Sequence, residues 1–458
     1  MKIIILGAGQ VGAGLALSLA RENYDISVVD LDETRLRQLQ DRVDIQGVGG
    51  HAAHPPTLLR AGIEDADMIV AVTSSDEVNM VACQIAYSLY NTPSRIARVR
   101  AAEYLETPDL FTREHIPIDL LISPEQLVTD HIYHLIEYPG ALQVLDFADN
   151  RAQMVSLRAE ADSPMLGHPL RTLAEQMPRG VEARVVALFR GDQAVIPEGD
   201  TVIEAGDLVF FLAARRDTRR VMAELSHNIA PIKRVMLAGG GNIGERLAAK
   251  LGGDYHVKLI ERSNERAKAI AEHLEHAIVL VGDCADSELL RDEGIDRVDI
   301  YCALTNDDEA NILSSMVAKR LGAHKVVTIV NRPVYADLVE GQQIDVAVSP
   351  RQITIGALLA RMRRGNIVRV HSLRRGATEA IEAEVKGDAG TSRVLGRTIA
   401  EIELPPGATI GGIVRGEQVL MAHRHTMIEP GDHVIILATD KRHIRDLEQL
   451  FEVSATYV

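Results

Sequence analysis

The most constraining feature of this 458-residue chain is that it repeats itself. Gly7-Ala8-Gly9-Gln10-Val11-Gly12 returns as Gly239-Gly240-Gly241-Asn242-Ile243-Gly244, 232 positions later. Gly50 and Gly282, Leu58 and Leu290, Gly62 and Gly294, and Asp67 and Asp299 keep the same offset. So do Thr73 and Thr305, and Asn79 and Asn311. One residue is lost after the glycine turn, so Tyr24 matches Tyr255 and Asp30 matches Glu261; it is regained before Gly50. Further on, Ser123-Pro124-Glu125-Gln126 matches Ser349-Pro350-Arg351-Gln352, and Arg190-Gly191 matches Arg415-Gly416. Glu204-Ala205-Gly206-Asp207 matches Glu429-Pro430-Gly431-Asp432. The chain must fold as a tandem A-B-A′-B′ array.

Unit A alternates short apolar runs with helical stretches. The runs lie near 2–6, 25–29, 44–48, 68–72, 96–99 and 119–122. Runs apolar on both faces and separated by helices predict a parallel sheet covered on both sides, a doubly wound α/β Rossmann-type unit. A helix is expected over 125–137, ending at Pro139-Gly140. Unit B predicts a small α+β module: strands near 142–147, 154–160, 183–189 and 208–212, a short helix near 169–176 and a helix near 216–226. The resulting division is 1–124, linking helix 125–140, small module 141–227, then 232–350, linking helix 351–366 and small module 367–453, with 225–231 as the connection between halves.

A lone Gly-x-Gly-x-x-Gly says little. Here each copy follows an apolar strand and opens a helix, and an acid follows it at the end of the next strand, Asp30 or Glu261. That context predicts a dinucleotide cradle. The first glycine makes the tight turn, the second admits a pyrophosphate to the backbone, and the third lets helix and strand pack closely. The helix N-terminus offers unsatisfied N–H groups to the phosphates. The acid accepts the adenosine ribose hydroxyls and repels a 2′-phosphate, which disfavours NADP. Gly7–Gly12 with Asp30 and Gly239–Gly244 with Glu261 are therefore the candidate binding residues: Gly7, Ala8, Gly9, Gln10, Val11 and Gly12, and Gly239, Gly240, Gly241, Asn242, Ile243 and Gly244.

After the fourth strand, Thr73-Ser74-Ser75-Asp76-Glu77 matches Thr305-Asn306-Asp307-Asp308-Glu309. Ser74 with Glu77 and Asn306 with Glu309 have the spacing of a capping box. The same strand end faces the ligand crevice, which adds Thr73 and Thr305 as candidate nucleotide contacts. Asp283 joins them from the end of the third strand of the second half, where the first half has His51. Arg98 and Arg100 alternate on the fifth strand. In one register Ile329 and Asn331 replace them; shifted by one, Arg332 falls opposite Arg100. Arg98 in the crevice would grip phosphate, so the first site is expected to tolerate a more highly charged ligand.

Asp plus Glu is 65 against 49 Lys plus Arg, a net charge of −16. That leaves no global basic footprint for nucleic acid and repels an anionic membrane surface. Aromatics are 3% with no Trp, which disfavours base-stacking platforms. No run approaches a transmembrane span, and the apolar start is too short for a signal-peptide core, so a soluble, cytoplasmic chain is expected. No catalytic constellation and no metal-ligand set emerges. His51 and His54 are only two. His131 and His134 read as helix-surface or interface residues, and His423 and His425 as alternating surface residues of a strand. Cys83, Cys284 and Cys302 match Ser315, Ala52 and Val70, so packing explains them. An NAD-dependent oxidoreductase is the alternative; it lacks a substrate domain with an acid/base. A DNA-binding repressor would need a basic face.

Tandem glycine turns with Asp30 and Glu261, each unit followed by a small α+β module, resemble regulator-of-potassium-conductance (RCK) domains over the whole chain. The resemblance implies binding of NAD(H) and ATP/ADP without chemistry, on Gly7 to Val11, Asp30, Thr73, Ser74 and Arg98, and on Gly239 to Ile243 and Glu261. It further implies a ring-like homo-oligomer, a tetramer. It places the protein peripherally on the cytoplasmic side of the inner (plasma) membrane, held by a potassium-translocating membrane subunit, with no membrane insertion of its own.

Overall fold

The computed structural model describes residues 1–453 other than 21–23, 173–176, 192, 196, 227–229, 333, 336–342, 363–365, 374–377 and 389. The expected short helix at 169–176, the connection at 225–231 and the linking helix at 351–366 lie partly outside the described residues.

Six parallel strands form the first sheet: β1 Lys2–Leu6, β2 Asp25–Asp30, β3 Gln46–Gly49, β4 Met68–Ala71, β5 Ser94–Arg98 and β6 Leu120–Ile122, in the order β3-β2-β1-β4-β5-β6. All five pairings are parallel. Ile3, Ile4, Ile5 and Leu6 are all fully buried, the signature of a strand covered on both faces. The order reverses between β1 and β4, which puts the crevice above the glycine turn.

A five-stranded antiparallel sheet follows: β7 Gln143–Phe147, β8 Ala152–Arg158, β9 Ala183–Arg190, β10 Gln193–Val195 and β11 Leu208–Ala214, in the order β10-β9-β11-β8-β7. The helix Thr218–Leu225 buries Val221, Met222 and Leu225 on one of its faces.

The second half repeats both sheets. Strands β12 Arg234–Ala238, β13 His256–Glu261, β14 Ala277–Val281, β15 Ile300–Ala303, β16 Lys325–Ile329 and β17 Val346–Val348 run in the order β14-β13-β12-β15-β16-β17. Strands β18 Ile367–Leu373, β19 Thr378–Glu384, β20 Ala408–Arg415, β21 Gln418–Met421 and β22 His433–Ala438 run in the order β18-β19-β22-β20-β21. The fold is thus two Rossmann-type units, each followed by a small α+β module.

The chain divides into two compact units, one of 1–127 with 350–359, the other of 128–349 with 360–458. Within the first, the start of the helix Pro350–Met362 lies against the helix Gln10–Ala20: a Cβ on Gly14 would meet Ile355 Cδ1 at 2.5 Å. Within the second, Asp130 of the helix Pro124–Glu137 pairs with Lys250.

Also within the second unit, the two small sheets share one core. Phe147, Met154, Phe210 and Leu212 of the first pack with Leu373, Ala380, Val414 and Ile435 of the second. Each of these side chains other than Ala380 contributes about 1.5–3 kcal/mol on full burial. Duplicated modules therefore cover each other's apolar faces.

The expectation for His423 and His425 is corrected. Both are exposed and lie in the turn after β21, closed by the Thr426 N–H donating to the His423 carbonyl at 2.9 Å. The Thr426 hydroxyl accepts the His423 N–H at 3.1 Å, and that local bonding ends the strand. Cys83 and Cys302 are buried, and burial pushes both thiols up to about 12, in keeping with packing residues. His51 and His54 stack with ring centroids 4.4 Å apart. Among the described residues no group of three or more His, Cys, Asp or Glu could hold a metal ion. None of their helices is long and apolar enough to cross a membrane.

Candidate nucleotide cradles

The three glycines of each turn divide by role. Gly7 and Gly239 have φ of +104° and +107°, a backbone that L side chains rarely adopt. A Cβ on Gly12 would stand 1.8 Å from the Gly7 carbonyl oxygen, and one on Gly244 would stand 1.9 Å from that of Gly239. These two pairs are demanded by the fold itself. Gly9 and Gly241 are different: a Cβ there meets nothing within 4 Å. Among the described residues nothing gives an internal reason for a missing side chain at this point. Open space over the backbone at the mouth of a helix is what a pyrophosphate requires.

Each acid is bonded to its turn. Asp30 Oδ2 accepts the Ala8 N–H at 2.6 Å and its Oδ1 accepts the Asp32 N–H at 2.8 Å. Glu261 Oε2 accepts the Gly240 N–H at 2.8 Å and its Oε1 accepts the Ser263 N–H at 2.8 Å. A carboxylate oxygen has further lone pairs, so ribose hydroxyls can still be accepted. The carboxylate geometry and the open second glycine fit an adenine dinucleotide in both halves.

The fourth strand's end is held by a buried asparagine. Asn79 Oδ1 accepts the Thr73 N–H at 3.0 Å and the Thr73 hydroxyl at 2.7 Å, while its amide donates to the Arg98 carbonyl at 2.9 Å. Asn311 does the same for Thr305, at 2.9 and 2.6 Å, and donates to the Ile329 carbonyl at 3.1 Å. The Thr73 and Thr305 hydroxyls are thereby engaged in holding the loop. Asp283 Oδ1 accepts the Ala285 N–H at 2.8 Å just past β14.

The expected capping boxes are corrected by one residue. Ser75 caps the helix Asp76–Tyr90 through the Val78 N–H, and Asp307 caps Asp308–Arg320 through the Ala310 N–H. That bond holds the Asp307 carboxyl below its usual range, and backbone and Ser75 hydrogen bonds do so for Glu77. The helix starts late because the first helical residue has another task. The buried Asp76 accepts the Arg100 and Ala101 N–H groups at 2.8 and 2.9 Å, and Asp308 accepts those of Asn331 and Arg332, both at 2.8 Å.

These bonds settle the register of the fifth strands: Ile329 stands where the first half has Arg98, and Asn331 where it has Arg100. Arg100 donates to the Ser74 carbonyl and pairs with Asp76 at 3.4 Å. Arg98 is half-buried, and its Nε has no hydrogen-bond partner among the described residues. Burial, then the neighbouring Arg100, pushes its pKa down.

The sequence reading missed Asp76, Asp308 and Leu31. The two acids share the offset of 232 that marked their neighbours. Leu31, directly after Asp30, is 71% exposed, whereas the second half has Arg262 there.

The TrkA-N domain model matches residues 3–124 and 235–350, and the TrkA-C domain model matches 154–226 and 388–452. The chain is 55% identical over 457 residues to the Trk system potassium uptake protein TrkA of Halomonas elongata and 54% identical over 459 residues to that of Vibrio alginolyticus, each covering 100% of both chains. Among solved structures, the GsuK RCK domain superposes with a TM-score of 0.62 at 19% identity, covering 98% of this chain and 94% of that one. The GsuK channel bound to NAD gives 0.61 over 98% of this chain and 78% of that one.

Fold and paired cradles define a tandem RCK-type protein with two TrkA-N and two TrkA-C domains. The chain belongs to the family of Trk system potassium uptake proteins TrkA.

Proposed function

We propose that this chain is a nucleotide-sensing regulatory subunit that gates potassium uptake, binding NAD(H) and ATP or ADP in its cradles without reacting them. The observation that carries the reading is the open space above Gly9 and Gly241, beside carboxylates already oriented toward the turn. Gly7 to Gly12 would hold the pyrophosphate, Asp30 the ribose, Arg98 an additional phosphate, and the exposed Leu31 an adenine face. Gly239 to Gly244, Glu261, Asp283 and Thr305 would do so in the second half, with fewer charges for phosphate. The bound nucleotide shifts the equilibrium between two states only by its differential affinity for them. Moving it from 1:99 to 99:1 needs about 5.5 kcal/mol. A ring of identical subunits, a tetramer, sums small differences at each site toward that figure. The partner is the potassium-translocating subunit of the Trk system, on the cytoplasmic face of the inner membrane, where this chain is peripheral. Family membership favours this reading over an oxidoreductase.

Calorimetry with NADH, NAD, ATP and ADP on Asp30→Ala and Glu261→Ala tests it, alongside potassium uptake in cells carrying each variant. Each variant is expected to lose affinity at one set of sites and to alter uptake. Unchanged nucleotide affinity in both would overturn the assignment, and hydride transfer to a hydroxy or keto acid would favour the oxidoreductase.

A further inference from the structure

The two cradles differ in charge at a place the duplication locates. Glu245 stands in the first turn of the helix Asn242–Leu251, where the first half has Ala13. Its Oε2 receives Arg266 Nη2 at 2.5 Å, and Arg266 Nε also donates to the Gly240 carbonyl at 3.0 Å, within the glycine turn. His273 Nδ1 is 3.7 Å from Glu245 Oε1. The matching arginine of the first half, Arg35, turns to its own cap instead, with Nε 3.3 Å from Asp32 Oδ2. Among the described residues, the second turn is tied to a neighbouring ion pair and the first is not.

A carboxylate in the first turn of a helix satisfies the positive end of that helix. It therefore competes with a phosphate for the same field, and repels it at short range unless a cation stands beside it. Arg266 is that cation. We propose that Glu245 and Arg266 set the charge selectivity of the second cradle: paired, they keep its phosphate end neutral, so that it accepts a dinucleotide and discriminates against a nucleoside triphosphate. The inference rests on the reading that the second cradle binds nucleotide. It makes opposite predictions for the two partners. Removing Glu245 leaves an uncompensated guanidinium held at the Gly240 carbonyl. Removing Arg266 leaves an uncompensated carboxylate at the helix end.

The test uses the full chain with the first cradle blocked by Gly9→Val, a position whose side chain meets open space. Calorimetry with NAD, NADH, ADP and ATP is compared for Glu245→Gln and Arg266→Gln at low and high salt. Glu245→Gln is expected to tighten ATP roughly fivefold and NAD by roughly twofold or less, the range for a charge near a helix terminus. Arg266→Gln is expected to weaken ATP more than NAD. Both differences should shrink as salt rises. Equal weakening of every ligand by Glu245→Gln, or an unmoved ATP-to-NAD ratio, overturns the proposal alone. A Gly9→Val parent that binds no nucleotide overturns the reading of the second cradle as well.

Discussion

The carboxylate of Glu382, with no solvent exposure, accepts the backbone N–H of Ala148 at 2.9 Å. One small module thus reaches into a turn of the other. That turn is unusual: Ala148, Asp149 and Asn150 have φ of 48°, 52° and 67°. Non-glycine residues persist in this region only where surroundings hold them. The other carboxylate oxygen, Oε1, lies 2.6 Å from His433 Nδ1, while Arg369 Nε is 3.8 Å from the Oε2 that accepts the Ala148 N–H.

Glu382→Ala leaves the Ala148 N–H and His433 without this partner. Removing one member of a buried charged set costs about 3–5 kcal/mol. The expected outcome is faster hydrogen exchange in peptides spanning 143–158 and 367–384, with the first Rossmann unit unchanged. Protection that stays at the parent level would mean that the turn is held by its own bonds.

Acid should loosen the same junction. His131 and His371 are both held below the usual histidine range, chiefly by burial, His131 at about 4. His131 also feels His134 and His371, while Asp146 Oδ2 lies 3.3 Å from His134 Nδ1 and the Asp146 carbonyl is 3.1 Å from His371 Nε2. Between about 4 and 6.5 the unfolded chain binds protons that folded His131 refuses, so stability falls as pH falls through that window. His131→Leu removes this loss. The midpoint of acid unfolding, followed by calorimetry, should move down relative to the parent; an unmoved midpoint would show that His131 does not contribute.

What was legible in the sequence was what local spacing dictates. Gly7, Gly9, Gly12 and Asp30 sit within one strand-turn-helix-strand run, so their roles follow from position. The helix cap at Ser75 was not legible, because its placement depends on Asp76 reaching the end of another strand at Arg100. The match of Arg98 to Ile329 stayed open for the same reason: it is fixed by Asn79 and Asn311, which bond across to those residues' carbonyls. The shared core of the small modules was hidden too. Leu212 and Val414 alternate as any strand residue does, and nothing in a strand pattern says what covers its outer face.

That shared core makes demands on glycine. A Cβ on Gly412 would stand 2.5 Å from Leu212 Cδ2 and 3.2 Å from the Leu420 carbonyl oxygen. Gly412→Val therefore overfills the junction, at a cost of about 1–3 kcal/mol. The expected readout is a lowered melting transition that Leu212→Ala in the same chain partly restores, since it vacates the contacted space. If the double variant melts below both single ones by the sum of their effects, the two residues are not in contact.

The glycine roles separate fold from binding in the first cradle. Gly12→Ala puts a methyl 1.8 Å from the Gly7 carbonyl oxygen, backbone that cannot step aside without moving the turn. Gly9→Ala puts its methyl in open space. The first substitution should lower the melting temperature without nucleotide present. The second should leave it unchanged but reduce the rise produced by NADH, because a ligand stabilises only in proportion to ln(1 + [L]/Kd). A tenfold loss of affinity removes about 1.4 kcal/mol of that stabilisation at saturating ligand. The contrast is read by calorimetry of each variant with and without NADH. If Gly9→Ala kept the parent's full ligand-induced rise while Gly12→Ala melted normally, the open space above Gly9 would not be where the pyrophosphate lies, and the cradle would have to be sought elsewhere on the crevice.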